Sequence, residues 1–401
     1  MQFASNKIRN QSLIIRNEPL DQIKFVEELP INKLILKFCS RLYFNQVPNN
    51  IKVLIIESNY CQTELTGIKQ MKQLNILTIR NAWARNVKEA FQLNLTELDL
   101  TNNGINDVQG LQLMKSLRIL CLKKNQMGHQ IQVIYNLLSL VKLDISETHT
   151  TNISGIHVLK ELQELRVSSN YIYDFSALKQ MNLVALEASN NHIVDISFLK
   201  HMKQLQILNL NKNKIESVDD LKFLVNITRL YLNSNNIENI MCLSKLKDLR
   251  ELHLFNNRIV DISVVRNFRK LVILDVSKNK VINTDALKNL YIVKLNVSHN
   301  YIHDFSPLQY HTYANTFHYK LFKQQQASTT VQYQSKCIKC VNCSQLTLID
   351  SVSRKICLKS SKKEFELKVV MLNTKFCGTI VTLQNKVLQY LQPLQEEQYF
   401  Q

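Results

Sequence analysis

The amino-acid sequence predicts an α/β solenoid: one continuous arc of about fourteen repeats, with a parallel concave β-sheet and short 3₁₀ or helical turns on the convex side. Three observations predict it. A frame of apolar residues, L-x-x-L-x-L-x-x-N-x-I, returns every 21 to 23 residues between Leu95 and Ile292. Each copy joins a period-two strand pattern to apolar residues three apart, so strand and turn alternate along the whole run. Six Gly and five Pro in 401 residues fall far below the roughly 12% of ordinary proteins. That scarcity excludes Gly-rich phosphate cradles, collagen-like sequence and long flexible linkers.

The clear copies begin at Leu95, Leu117, Leu140, Leu162, Leu183, Leu205, Ile227, Leu249, Leu271 and Ile292, and weaker ones at Leu74, Ile51, Ile31 and Asn10. Slots 4 and 6, Leu208 and Leu210 in one copy, lie on a short strand and point inward, because strand side chains alternate faces. Slot 9 is Asn in ten copies, Asn59 and Asn103 through Asn300; Cys39, Thr148, Glu18 and Ala82 stand there in the others. A buried amide can donate to and accept from backbone groups at the turn that stacking leaves unpaired. The slot is therefore structural, not catalytic. The return half spaces apolar residues by three, as in Ile196, Leu199 and Met202, which fits a 3₁₀ turn. Asp-Phe-Ser or Asp-Ile-Ser precedes it at Asp174, Asp195, Asp261 and Asp304. The Ser is expected to cap the turn, and Pro307 occupies a first-turn position where a missing N–H costs nothing.

This frame at this period is the leucine-rich-repeat signature. The chain resembles the 22-residue subfamily typified by the nuclear regulatory subunit of protein phosphatase 1 and by bacterial internalins, over about residues 10–309. The resemblance implies a partner held on the concave face; in the phosphatase regulator, acidic and aromatic concave residues dock the catalytic subunit. Asp99, Asp144, Glu187, Tyr231, Phe255 and Asp275 occupy comparable slots.

Slots 3, 5 and 7 project from the concave face, with equal slots about 4.8 Å apart on neighbouring strands. Three zones follow along the chain. The first is apolar, with Ile14, Ile35 and Ile55 beside Val53 and Ile76; it is expected to be a sheet end covered by N-terminal residues, and otherwise a partner groove. The middle zone is charged: Asp99, Asp144, Arg166 and Glu187, with Glu97 and Glu164. Arg166 between Asp144 and Glu187 suggests mutual compensation, and docking of a basic partner is the competing reading. The third zone, Arg229, Tyr231, Glu251, His253 and Phe255, has the composition of an interaction hot spot, with Phe255 expected to face solvent. Slot 10 places Tyr60, Trp83, Tyr171 and Tyr301 on one rim. Trp83 either lies open there or plugs a packing defect in a degenerate copy.

Net charge is +18. From Tyr310 onward, twelve Lys and Arg face five Asp and Glu; spread this thinly, they read as a solvated surface. The expected organisation is a repeat domain over 1–309, a cap and linker over 310–334, and a basic Cys-containing tail or small α+β module over 335–401. Cys337, Cys340 and Cys343, with Cys357 and Cys377 downstream, resemble a metal cluster in spacing, but no second Cys-x-x-Cys follows. They are read as isolated thiols, and no metal or cofactor is expected. No run of 18 apolar residues exists for a membrane-spanning helix, and the first 30 residues lack a signal-peptide pattern. The expectation is a non-catalytic monomeric scaffold of cytoplasm or nucleus, not secreted, that binds a protein; the resemblance implies a phosphatase as one such partner. The alternative is a ribonucleoprotein component contacting RNA through its tail, although nucleic acid is the weaker partner; a surface adhesin is disfavoured by the missing signal.

Overall fold

The computed structural model describes residues 8–9, 11–17, 31–39, 44, 47–57, 62–304, 306–310, 316–318, 357–360 and 363–366. One open sheet of sixteen strands follows the order of the sequence. Fourteen of these strands, from Ser12–Arg16 to Lys294–Asn296, belong to the fourteen repeats and pair in parallel with their neighbours. The sheet extends one strand beyond the repeats at each end. Ile8–Arg9 pairs antiparallel with Ser12–Arg16, and Thr316–His318 pairs parallel with Lys294–Asn296.

The near-constant period holds the register. Leu186, Leu208, Leu230, Leu252 and Leu274 stand opposite one another on successive strands. Slots 4 and 6 are buried while slots 3 and 5 stay partly exposed, as strand alternation requires. A single apolar core runs from Leu13 to Leu308 without a break. A 3₁₀ turn closes most copies, for example Ser197–His201 and Met241–Lys245, and returns Leu199 or Leu243 to that core.

Slot 9 forms a ladder between repeats. Asn213 donates through Nδ2 to the carbonyls of Leu210 (3.1 Å) and, one copy back, Ala188 (3.0 Å), while its Oδ1 accepts from Ile193 N–H (3.1 Å). Asn235, Asn257, Asn279 and Asn300 repeat the pattern. Thr148 keeps the bond to the Ile145 carbonyl of its own copy, at 2.7 Å, and its hydroxyl also meets Thr150 Oγ1 (2.8 Å) and Asn170 Oδ1 (3.3 Å); Ala82 has no side-chain group to offer.

Two features correct or extend the sequence reading. Serine does not cap the 3₁₀ turns; the preceding aspartate does. Asp174, Asp195, Asp261 and Asp304 accept the backbone N–H of Ser176, Ser197, Ser263 and Ser306 at 2.7–2.8 Å. The carboxylate is the stronger acceptor, and hydrogen bonds from these serines hold Asp174, Asp195 and Asp304 below the usual carboxylate range. The second feature is that slot 8 is left-handed in every copy where it is described, from Asn17 (φ 56) to His299 (φ 57). Asn tolerates that region and recurs there, whereas Lys124, Lys212 and Lys278 adopt it at a cost of about 1 kcal/mol each.

In the tail, Cys357–Ser360 and Lys363–Glu366 form an antiparallel pair. Cys337, Cys340, Cys343 and Cys377, Glu18, Asn59 and Tyr60, and the remainder of 310–334 and 335–401 lie outside the described residues.

Candidate protein-docking face

The concave face is built from slots 3, 5 and 7. In its middle zone, charge is matched strand to strand. Arg166 Nε lies 3.4 Å from Glu187 Oε1, Lys142 Nζ 2.8 Å from Glu164, and Arg80 2.6 Å from Asp99. Arg166 therefore pairs with one of its two expected acids, Glu187. Half-exposed pairs of this kind contribute about 0–1 kcal/mol.

The slot 5 aspartates have a local task that the sequence reading missed. Asp99, Asp144 and Asp275 each accept the backbone N–H two residues ahead, from Thr101, Ser146 and Ser277, at 2.9 Å. Asn209 and Asn296 do the same for Asn211 and Ser298. The shared behaviour of Asp and Asn in one slot is the signal that could have revealed it, because both side chains form such turns. Between Asp99 and Asp144 lies Cys121, whose thiol is pushed up to about 11 by burial and by the two carboxylates. It is protonated at neutral pH and a poor nucleophile.

Slot 7 carries a second polar ladder. Ser146 Oγ accepts from Ser168 N–H and Ser168 Oγ from Ser189 N–H, each at 3.2 Å. Asn211 Oδ1 accepts from Asn233 N–H (2.6 Å), and Asn233 Oδ1 from Phe255 N–H (2.8 Å). Phe255 then occupies the ladder's next place with no polar group. Its ring is half-buried rather than solvent-facing, because Lys278 Nζ sits 5.1 Å from its centroid.

The third zone lies around that interruption. Strands Arg229–Tyr231, Glu251–His253 and Ile273–Asp275 put Tyr231, His253 and Asp275 in register. The Tyr231 and His253 rings stack at 4.8 Å between centroids and 22° between planes. Tyr231 donates its hydroxyl to Glu251 Oε2 at 2.7 Å, and Arg229 Nε lies 3.5 Å from Glu251 Oε1. Burial and the Glu251 hydrogen bond push the Tyr231 phenol up to about 12. Burial also pushes the His253 imidazole down, overriding the opposing pull of Asp275 and Glu251.

That direction makes an NMR prediction. The His253 ring should titrate with a midpoint below its ordinary 6.5, and Tyr231→Ala, by uncovering the ring, should raise it. The depressed folded value means that His253-dependent stability is complete above pH about 6.5 and is lost as pH falls through the lower folded value. A wild-type midpoint above 6.5 would refute the burial argument.

Trp83 lies apart from this pad, seven strands away in sheet order. It does not plug a defect: it is 52% exposed, with the Arg85 guanidinium 5.6 Å from its ring. Its φ is 50°, a left-handed conformation that costs a non-glycine residue about 1–2 kcal/mol. Trp83→Gly should therefore leave the melting temperature unchanged or raise it; a fall of several degrees in thermal unfolding would restore the plug. The apolar N-terminal zone is flanked by Ile8–Arg9, which extends the sheet edge; Ile14 remains exposed and Ile35 and Ile55 half-buried.

Among the described residues, no group of three or more His, Cys, Asp or Glu could hold a metal ion, and no helix is long and apolar enough to cross a membrane. Profiles of leucine-rich repeats match residues 182–223, as two copies, and residues 203–259. Residues 182–259 match leucine-rich repeats, and the solenoid has the leucine-rich-repeat fold. An internalin of Listeria monocytogenes shares it at 22% identity, with a TM-score of 0.63 over 78% of this chain and 87% of that one. A leucine-rich-repeat protein of Leptospira interrogans does so at 21% identity and TM-score 0.64, over 78% and 90%. The plant peptide hormone receptor RGFR1, in complex with RGF2, aligns at 18% identity and TM-score 0.59 over 75% of this chain and 52% of its own. No curated protein matches the sequence. This fold is typical of protein-binding scaffolds and receptor ectodomains.

Proposed function

We propose that the chain is a non-catalytic scaffold that captures a protein partner on its concave face, centred on Arg229, Tyr231, His253 and Phe255. The observation that carries this reading is Phe255 itself. It ends the run of slot 7 amide bonds made by Asn211 and Asn233 in the two preceding copies, beside a stacked Tyr–His pair, where an apolar ring adds nothing to the core. Residues that break a local rule without a structural return are where function is expected. The acids Glu251 and Asp275 beside the aromatic rings suit a partner presenting Lys or Arg side chains. A phosphatase catalytic subunit, in cytoplasm or nucleus, is one partner of that kind. The non-catalytic reading rests on an open face whose only described thiol, Cys121, is held protonated.

Purifying the full chain with its bound partner from its own cell, and identifying that partner by mass spectrometry, tests the reading. A protein that competes for the Tyr231–Phe255 surface supports it. Recovery of RNA alone, with affinity falling steeply with salt, would favour the ribonucleoprotein alternative instead.

A further inference from the structure

The excess positive charge of the repeats is gathered along one edge of the sheet. In the twelve copies beginning at Ile51 through Ile292, the two residues before slot 1, together with slot 2, make 36 positions. They hold ten Lys or Arg and two acids, Glu161 and Asp248, a balance of +8 (10 − 2). Slots 3, 5 and 7 of the same copies, also 36 positions, hold six basic and eight acidic residues, a balance of −2 (6 − 8). On the opposite rim, slots 8, 10, 12 and 13 hold seven basic residues against eight acids. The concave face and the far rim are near neutrality, and the strand N-terminal rim is not.

These positions form a continuous strip. Slot 2 residues continue the ladder at the N-terminal end of each strand, with Thr228 N–H bonded to Gln206 O and Arg250 N–H to Thr228 O, both at 2.8 Å. The residues before slot 1 also stack from copy to copy: Asn226 Nδ2 donates to Lys203 O at 2.8 Å, and Lys270 pairs with Asp248. All ten cations are exposed. Lys160, Lys203, Lys247, Arg250 and Arg269 have no ion pair among the described residues. The same strip exposes Leu138, Val225, Val272 and Tyr291.

We propose that this rim docks the protein on an anionic lipid surface. Each Lys or Arg held near such a surface gains attraction within a Debye length. The exposed aliphatic side chains select lipid over nucleic acid. Leu138, Val225 and Val272 would enter the boundary between headgroups and acyl chains, where apolar area is buried. Against a phosphate backbone they would gain nothing, and a single-stranded nucleic acid would need a series of aromatic faces, of which the strip has one, Tyr291. An edge can lie along a flat surface while the concave face stays open, so docking is independent of the partner reading above.

The test is co-sedimentation of the full chain with vesicles of phosphatidylcholine, with and without phosphatidylserine. The wild type should bind only the phosphatidylserine vesicles, more weakly as salt rises. Combined Lys203→Gln, Lys247→Gln, Arg250→Gln and Arg269→Gln should lower the partition coefficient at least about tenfold. A matched variant on the opposite rim, with Lys212, Lys214, Arg258 and Lys280 all changed to Gln, should lower it less than about threefold. Leu138→Ser with Val225→Ser should remove the binding that survives high salt. Circular dichroism melts confirm that each variant is folded. Equal losses on the two rims, no loss on the first, or binding of an RNA homopolymer but not of vesicles would each overturn the proposal.

Discussion

Replacing Asn213 with Ala should destabilise the solenoid by about 1–3 kcal/mol. The amide serves the carbonyls of Ala188 and Leu210 and the N–H of Ile193, all within the buried core. The Leu210 and Ala188 carbonyls would keep the amides of Asn235 (2.9 Å) and Asn191 (3.3 Å), so the Ile193 N–H is the group left without its acceptor, at a cost of about 1–3 kcal/mol. Denaturant unfolding gives the total, and hydrogen exchange should place the faster amides in the two copies that Asn213 joins. Asn213→Thr should fall between, since Thr148 shows a hydroxyl in this slot retaining one of the bonds. A loss below about 1 kcal/mol for Asn213→Ala would mean that the ladder is incidental to stability.

Tyr231→Ala combined with Phe255→Ala should weaken partner capture at least tenfold, about 1.4 kcal/mol or more, as expected for truncating aromatic anchors. Both rings lie on the open side of the sheet, so the loss of stability should stay near about 1 kcal/mol, the scale of cross-strand side-chain pairs. Binding to the purified partner and thermal unfolding should be measured on the same preparations. Normal capture by this double variant, with capture abolished by changes at Ile35 and Ile55, would move the site to the apolar N-terminal zone.

The sequence pattern carried the fold almost entirely, because Leu, Ile and Asn at fixed slots leave only one way to stack. Strand order, register and the inward slots could be read from Leu95 onward. What escaped was geometry that many residue types can satisfy. Left-handed slot 8 accommodates Asn, Ser, Lys, Glu and His alike, so no composition announces it. Serine often caps such turns, but the aspartate two residues earlier is the better acceptor. Site legibility was uneven for the same reason. The Tyr231–His253 stack follows from register alone, but the inward-curling bonds of Asp99, Asp144 and Asp275 need atomic positions. Phe255 stands out by residue type, but its exposure depends on Lys278 of the next copy.

The slot 9 ladder has a consequence for how the molecule comes apart. Each amide bolts one copy to the one before it, so a solenoid of this kind behaves like a one-dimensional chain of coupled units, with cooperativity set by the couplings. At Ala82 the bolt is missing; the Thr63 N–H bond to the Ala82 carbonyl, at 2.8 Å, is a partial substitute. Under pulling or mild denaturant, the first fracture should therefore open between the copies that start at Ile51 and Leu74. A second unbolted junction lies between the copies at Leu117 and Leu140, where the Thr148 hydroxyl bonds the Ile145 carbonyl of its own copy, so the block from Leu140 to Leu308 would stay zipped longest.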